Sequence, residues 1–435
     1  MNQGIKTKDK RYEFWRYRIF FITWISYVGF YLTRKSFSVA KIGMAQDPDI
    51  LLTKIQMSQI EAAYLIAYAV GQFIWGMSGD KFGTRKILLT GLLCSVLIAV
   101  LMGLSSTVIF FGVLFCIQGI CQSTGWAPLV KNMSYWFSQE ERGTIMGWWA
   151  TNYAIGGFIA SPFAGLCADY FTNWRYGFFG PATALFVIWA LVLVLQKNKP
   201  QDVGLKSIEE YHNVKKAVLA DDDGAVQEGS WKAALVVIKT PMVLILGAFY
   251  FFLKPARYAI VFWGPLYLSE KLGTGMTKSA IVSVFFELGG PLGILAAGYI
   301  SDKAFQSRRM PISIISLIGL SILLFSFNYL AGYQNTLLIA CLLFAIGFLL
   351  YGPDSLLSGA AAVDFGTKTG ASTAVGFING MGAIGAILGG ALPGVIAARW
   401  GWEPLFIMLG ITTSLATIVL IPNWNTLPKT TEELS

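Results

Sequence analysis

Runs of about 20 apolar residues recur along the whole chain, and a run of that length is what an α-helix needs to cross the ~30 Å hydrocarbon core of a bilayer. They fall at roughly 14–40, 58–80, 86–105, 108–131, 142–168 and 174–196, then at 241–268, 277–301, 311–332, 335–358, 370–397 and 402–422. That makes twelve spans, six on each side of a polar stretch at 197–238. A lipid-exposed backbone must satisfy its own hydrogen bonds, which leaves helices or a closed barrel. A barrel would show short alternating strands, not runs of this length. Composition agrees: 55% of the 435 residues are hydrophobic and 13% charged, against about a quarter charged in soluble domains. The expected fold class is an all-α polytopic membrane protein. Its parts are an N-terminal six-helix half (1–196), a cytosolic central loop (197–238) and a C-terminal six-helix half (239–435).

The net charge of +9 sits in short loops, so it points to membrane topology and acidic lipid, not to nucleic acid. Basic residues precede span one (Lys6, Lys8, Lys10, Arg11, Arg16, Arg18) and join spans two and three (Lys81, Arg85, Lys86). Arg142 opens span five, and Lys303, Arg308 and Arg309 join spans eight and nine. The loops at 105–107 and 332–335 carry no charge. Both termini and the central loop are thus expected in the cytosol, and the compact loops fit a bacterial inner membrane. The five cysteines show no metal spacing and read as small buried hydrophobes. The single histidine, His212, lies in the polar central loop. No cofactor or metal is expected.

Span one carries Arg34 and Lys35 in its second half, about 24 Å along the helix from Arg18. A cation at such depth costs about 2.5–3.5 kcal/mol even on the lenient insertion scale, so it marks a substrate site, an ion path or a buried pair. An internal repeat supplies a counterpart. Gly76 to Lys86 (GMSGDKFGTRK) and Gly298 to Arg309 (GYISDKAFQSRR) both read G-xxx-D followed by a basic pair, with Asp80 and Asp302 lying 222 residues apart. Arg257, in span seven, lies 223 residues after Arg34, and Trp174 and Trp402 open spans six and twelve. Halves related by an axis along the membrane normal put their binding site between them. Arg34 and Arg257 would then face one another across a central cavity.

The candidate intramembrane counter-acids are Glu61 near one end of span two, Glu287 in span eight and Asp354 in span ten. Glu287 is expected to pair with Arg257 or Lys254 in one state, and one acid against Arg34, Lys35, Lys254 and Arg257 leaves the cavity positive and fit for an anion. Lys35 is one position round from Arg34 and faces about 100° away, so a structural role is open to it as well as direct binding. The Asp80 and Asp302 motifs, with Arg85, Lys86 and Arg142, read as a conformational latch that also holds loop and lipid. Glycines four apart in spans five and eleven read as close packing seams between the halves.

With these motifs in hand, the chain resembles the major facilitator superfamily, and within it the organophosphate:phosphate antiporter family. The segments that carry the resemblance are YLTRKSFSVA at 31–40, GWAPLVKNMSYWFSQEERG at 125–143, NKPQDVGLKSIEEY at 198–211, FELGGPLGILAAGYISDKAF at 286–305 and LYGPDSL at 350–356. The resemblance implies a major facilitator fold and exchange of an organic phosphate, such as hexose 6-phosphate or glycerol 3-phosphate, for inorganic phosphate. It implies that one arginine from each half, here Arg34 and Arg257, binds the phosphate. It carries pore-lining tyrosines onto Tyr27, Tyr31, Tyr68 and Tyr351, a switching acid onto Glu287, and the tryptophan of the Gly-Trp-x-Pro segment onto Trp126. Span five departs from the bacterial carriers: Thr151-Asn152-Tyr153 stands where they show histidine-asparagine, and Gln72 stands where they often carry lysine. Asn152 and Tyr153 are therefore where the organic moiety is expected to be read. The competing readings are a sensor of external sugar phosphate, which would need a membrane signalling partner, and an ion-coupled organic anion symporter. A membrane enzyme fits worst, since no nucleophile–base pair or phosphate-cradling glycine loop is present.

Overall fold

The computed structural model describes residues 9–138, 145–146, 148–149, 151–211, 240–306, 308–357 and 371–426. His212, Arg142 and the end of span ten lie outside them. In chain order the N-terminal half contains α1 (Lys10–Met44), α2 (Lys54–Phe82), α3 (Thr84–Leu104), α4 (Val108–Gln122), α5 (Trp126–Trp136), α6 (Thr151–Tyr170) and α7 (Tyr176–Leu195). A short α8 (Ile208–Tyr211) follows. The C-terminal half contains α9 (Pro241–Leu272), α10 (Met276–Ser283), α11 (Phe285–Ala304), α12 (Arg309–Ala331), α13 (Thr336–Ser355), α14 (Ala371–Trp400) and α15 (Glu403–Leu420).

Spans four and eight are each broken in two. Span four turns at Ser123–Gly125, between α4 and α5, and span eight at Val284, between α10 and α11. Counting each broken pair once gives the expected twelve. Among the described residues, eight of these are long and apolar enough to cross a membrane on those grounds alone, and Val108–Gln122 is a shorter apolar helix. The others carry polar groups: Arg34, Lys35 and Lys41 in α1, Glu61 in α2 and Asn152 in α6. Helix α1 starts earlier than the hydropathy suggests because Asp9 caps it, accepting from the Arg11 and Tyr12 amides. Helix α2 opens on a capping box between Thr53 and Gln56.

Successive spans run in alternating directions. Arg18, Arg85 and Arg309 gather at one end of the bundle, called the basic end here, and Asp47, Glu270 and Trp402 gather at the other. Residues 197–211 pack onto the basic end of the N-terminal half. Asn198 accepts there from the Thr84 hydroxyl and the Arg85 amide, and its carbonyl accepts from Asn132 and Trp136. Tyr211 stacks on Tyr12 at 3.9 Å.

Between the halves, α2 packs against α14, α6 against α10 and α11, and α1 against α9. The first two seams are equivalents under the repeat, pairing span two with eleven and span eight with five. Some of the glycines expected as seams lie in them, Gly157, Gly165, Gly390 and Gly394, whereas Gly385 and Gly389 pack on α9 of their own half. A Cβ on Gly394 would lie 2.4 Å from the Lys54 carbonyl, and one on Gly165 would lie 2.9 Å from the Thr277 Cα. Contacts this short exclude any larger residue. Toward the end opposite the basic one, the apolar core runs through both halves: Phe37, Met57 and Tyr64 join Phe262, Trp263 and Leu266 in one buried cluster.

Candidate functional site

Arg34 lies in the second half of α1 and Arg257 near the middle of α9, and their surroundings differ. Arg34 is buried, and its Nε donates to the Gln122 side-chain oxygen at 2.9 Å. The same oxygen accepts from the Tyr64 hydroxyl at 2.9 Å, and the Gln122 amide donates to Thr33 at 3.0 Å, which fixes the carboxamide orientation. The guanidinium lies over the rings of Tyr31 (4.6 Å) and Tyr68 (5.0 Å). Its Nη2 is buried without a hydrogen-bond partner. Among the described residues Arg34 thus makes neutral contacts only, and a donor remains to spare.

Arg257 donates from Nη1 to Asp354 at 2.9 Å, and Lys254 approaches the other Asp354 oxygen at 3.0 Å. Lys254 lies one helical turn before Arg257, so both cations leave the same face of α9 toward α13. The Arg257 guanidinium lies over Tyr351 of its own half at 4.6 Å and over Tyr153 of the other half at 5.6 Å. Lys254 sits over the Tyr250 ring at 4.2 Å.

Lys35 points away from Arg34, as the helical period requires. Its ammonium crosses to the other half, donating to Glu287 at 3.3 Å and to the Val261 carbonyl at 3.2 Å. Pro265 explains the second contact. A proline at that position has no N–H for the carbonyl four residues back, and a lysine from α1 takes its place. Glu287 also accepts from the Tyr351 hydroxyl at 2.6 Å, so it ties α1 to α13. Gly157 makes room for it, because a Cβ there would lie 3.0 Å from the carboxylate.

The expected pairing of Glu287 with Arg257 or Lys254 is therefore corrected. Glu287 in α11 faces across the seam to Lys35, and Asp354 takes both C-terminal cations. Four cations, Arg34, Lys35, Lys254 and Arg257, meet two acids, Glu287 and Asp354, which leaves two positive charges. A further buried pair was missed in the sequence. Lys41 donates to Glu61 at 2.6 Å, both side chains being fully buried, and also to the Phe262 carbonyl at 3.2 Å in the other half. Lys41 ends an apolar run, where it reads as an interfacial lysine.

The other expected residues divide into groups. Tyr31, Tyr68, Tyr153 and Tyr351 contact an arginine directly. Tyr27 packs on Tyr31 at 5.8 Å, and Trp126 meets Tyr27 at 5.3 Å, one layer further out. Asn152 is buried with neither polar side-chain atom partnered. Gln122 and Tyr64 belong to the site and were not anticipated. The signal available was two carboxamides four residues apart, Gln118 and Gln122, within an otherwise apolar α4.

At the basic end, Arg85 donates to the Leu193 carbonyl, fastening the α3 start to the end of α7. Asp302 receives Arg309 at 2.8 Å within its own loop. The Asp80 side chain lies outside the described residues. At the opposite end the repeat persists: the Trp174 indole donates to Asp47 at 2.7 Å and the Trp402 indole to Glu270 at 2.8 Å. Lys54 also reaches Glu270, at 2.7 Å across the halves, and Asp169 of α6 caps the Thr277 amide of α10 at 2.9 Å.

Comparison with known proteins places this architecture. The Major Facilitator Superfamily model matches residues 19–364. A glycerol-3-phosphate transporter of Bacillus subtilis is 33% identical over 96% of this chain and 94% of its own. A probable hexose phosphate transport protein of Chlamydia trachomatis is 31% identical, covering 96% and 92% respectively. The membrane sensor protein UhpC of Escherichia coli is 29% identical over 96% and 94%. Among solved structures, a bacterial homologue of the human lysosomal transporter Spinster superposes with a TM-score of 0.74 at 14% identity, over 95% of this chain and 96% of that one. The nucleoside transporter NupG gives 0.70 at 12%, over 94% and 99%. The chain belongs to the Major Facilitator Superfamily and, within it, to the organophosphate:phosphate antiporter family.

Proposed function

We propose that this protein is a secondary carrier that exchanges an organic phosphate, a sugar or glycerol phosphate, for inorganic phosphate by alternating access. The observation that carries the reading is the pair Arg34 and Arg257 within a site of two net positive charges, Arg34 keeping a buried, unpartnered Nη2. A phosphate monoester carries about −1.5 to −2 charges near neutral pH, which matches that excess. A guanidinium offers a planar fork to two phosphate oxygens and keeps its proton. The relatives named for hexose phosphate and glycerol 3-phosphate support the substrate class.

The arginines take the phosphate from opposite sides. The hydroxyls of Tyr27, Tyr31, Tyr68 and Tyr351 serve the phosphate or a polyol moiety, while Asn152, Tyr153 and Trp126 shape the remainder. Closing a dry cavity around unpaired cations costs several kcal/mol per ion. Bound phosphate removes that cost, so the loaded carrier reorients and the unloaded one lags, which favours exchange over net transport. Lys35 and Glu287 act as a tie between the halves. Arg85 and Asp302, with Asp80 and Arg142, form the latch at the basic end. That end faces the cytosol of a bacterium, both termini included, and the seam at Lys54–Glu270 closes the external face.

A sensor with the same site is the second reading, supported by the similarity to UhpC. Reconstitution in proteoliposomes separates the two. A carrier loaded with unlabelled phosphate takes up labelled phosphate, and glycerol, hexose and three-carbon acid phosphates compete according to preference. Binding of phosphate with no flux under those conditions would favour the sensor.

A further inference from the structure

Asp354 occupies the hydrogen-bonding edge of Arg257 that a phosphate would need. Its Oδ2 accepts from Nη1 at 2.9 Å, its other oxygen is 3.0 Å from Lys254 Nζ, and it is buried in α13 one residue after Pro353. Among the described residues Arg34 has no such carboxylate and is held through Nε by a neutral carboxamide. From this asymmetry we infer that Asp354 is an internal competitor for Arg257. It is a specificity- and affinity-setting carboxylate that gives up Arg257 to an incoming phosphate and is retained by Lys254. The inference rests on the phosphate-carrier reading above.

The chemistry requires both partners. An Asp facing Arg257 alone would be stranded as an unpaired buried carboxylate once phosphate took the guanidinium, at a cost of several kcal/mol. Lys254 provides an ammonium on the same face of α9, already in contact with the far oxygen, so the carboxylate changes its balance of partners without leaving its place. The exchange conserves charge. Phosphate enters with about two negative charges, the two-charge excess of the site is neutralised, and the Lys254–Asp354 pair remains neutral beside it. A singly charged ligand whose oxygens are less basic, such as a carboxylate or a sulfate ester, would displace Asp354 less well than a phosphate dianion does. Asp354 thereby raises the threshold for non-phosphate anions and keeps phosphate affinity low enough for release.

The test is binding of radiolabelled inorganic phosphate to the purified full-length protein, with wild type, Asp354→Asn, Lys254→Met and the double variant Lys254→Gln with Asp354→Asn. Removing the competitor should tighten phosphate binding about tenfold in Asp354→Asn, the equivalent of one charge-assisted hydrogen bond no longer contested. The double variant, in which no buried charge is stranded, should also bind more tightly, and it decides the matter if the single variant does not fold. Lys254→Met removes the ammonium that would retain Asp354 when phosphate takes Arg257, and should weaken binding. Sulfate should compete better against Asp354→Asn than against wild type. Weaker phosphate binding in both Asp354 variants would show that the carboxylate holds Arg257 in place for the ligand, and would overturn the inference. Unchanged binding would overturn it as well. Wild-type protein that binds no phosphate would sink the carrier reading itself, a result distinguishable from the failure of Asp354 alone.

Discussion

The N-terminal half keeps its arginine and its acid apart. Arg34 rests on a carboxamide and two phenol rings, while Glu61 is matched to Lys41, about two helical turns beyond Arg34. The C-terminal half puts arginine and acid together, with Asp354 shared between Arg257 and Lys254. The two arginines are repeats of one another, 223 residues apart, so the difference lies in what surrounds them. On the proposed reading, one arginine is open to a ligand and the other exchanges a partner. Duplication therefore preserved the position of the cations and let their counter-ions diverge.

The largest effect that probes this comparison concerns the buried N-terminal pair. Glu61→Gln or Lys41→Met should each lower stability by about 3–5 kcal/mol, since either strands a charge in a dry environment. The paired apolar change, Lys41→Met with Glu61→Leu, should restore stability to near wild type in a detergent melt. Losses that simply add in the double variant would contradict the isolation of this pair.

Next in size is the asymmetry of the arginines themselves. Arg34→Gln should weaken phosphate binding about 100-fold, whereas Arg257→Gln should weaken it about tenfold, because Arg257 gives up Asp354 to bind. Equilibrium binding measures both, and equal losses would break the comparison.

Pro265 sharpens it further. Its counterpart in the repeat is Ile42, so α9, unlike α1, offers a carbonyl freed by proline at this position. Pro265→Ala returns a helix donor to the Val261 carbonyl and loosens Lys35. A cysteine in place of Ser58, buried at the closed end, should then react with an impermeant maleimide up to about tenfold faster. No change in rate would mean that Lys35 does not hold the halves.

The smallest effect belongs to Lys54. It is partly exposed, and Lys54→Ala should cost less than about 1 kcal/mol, with Trp402 still bonded to Glu270. A melt shift well beyond that would make this contact a principal gate.

Much of this was legible in the chain. The twelve spans, the repeat and the partner of Arg34 follow from run length and residue offset, because both are properties of local period and duplication. The breaks at Ser123–Gly125 and Val284 were not legible, since an apolar run does not mark where a helix turns. The counter-ions were misassigned for a related reason. Glu287 sits within one long apolar span, and its direction depends on how α11 is rotated against Gly157. Nothing in α13 alone says that Asp354 meets two cations from α9. Gln122, Tyr64 and the Lys41–Glu61 pair depend on contacts between helices that spacing within one helix does not encode.

Joint capture of a phosphate by Arg34 and Arg257 is tested most directly by exchange of labelled inorganic phosphate in proteoliposomes loaded with unlabelled phosphate, comparing wild type with Arg34→Lys and Arg257→Lys. Each lysine keeps the charge but loses the planar fork. Exchange should fall in each variant to about one hundredth of wild type or below, with the folded protein still recovered. Near wild-type exchange in both would contradict the assignment of the site.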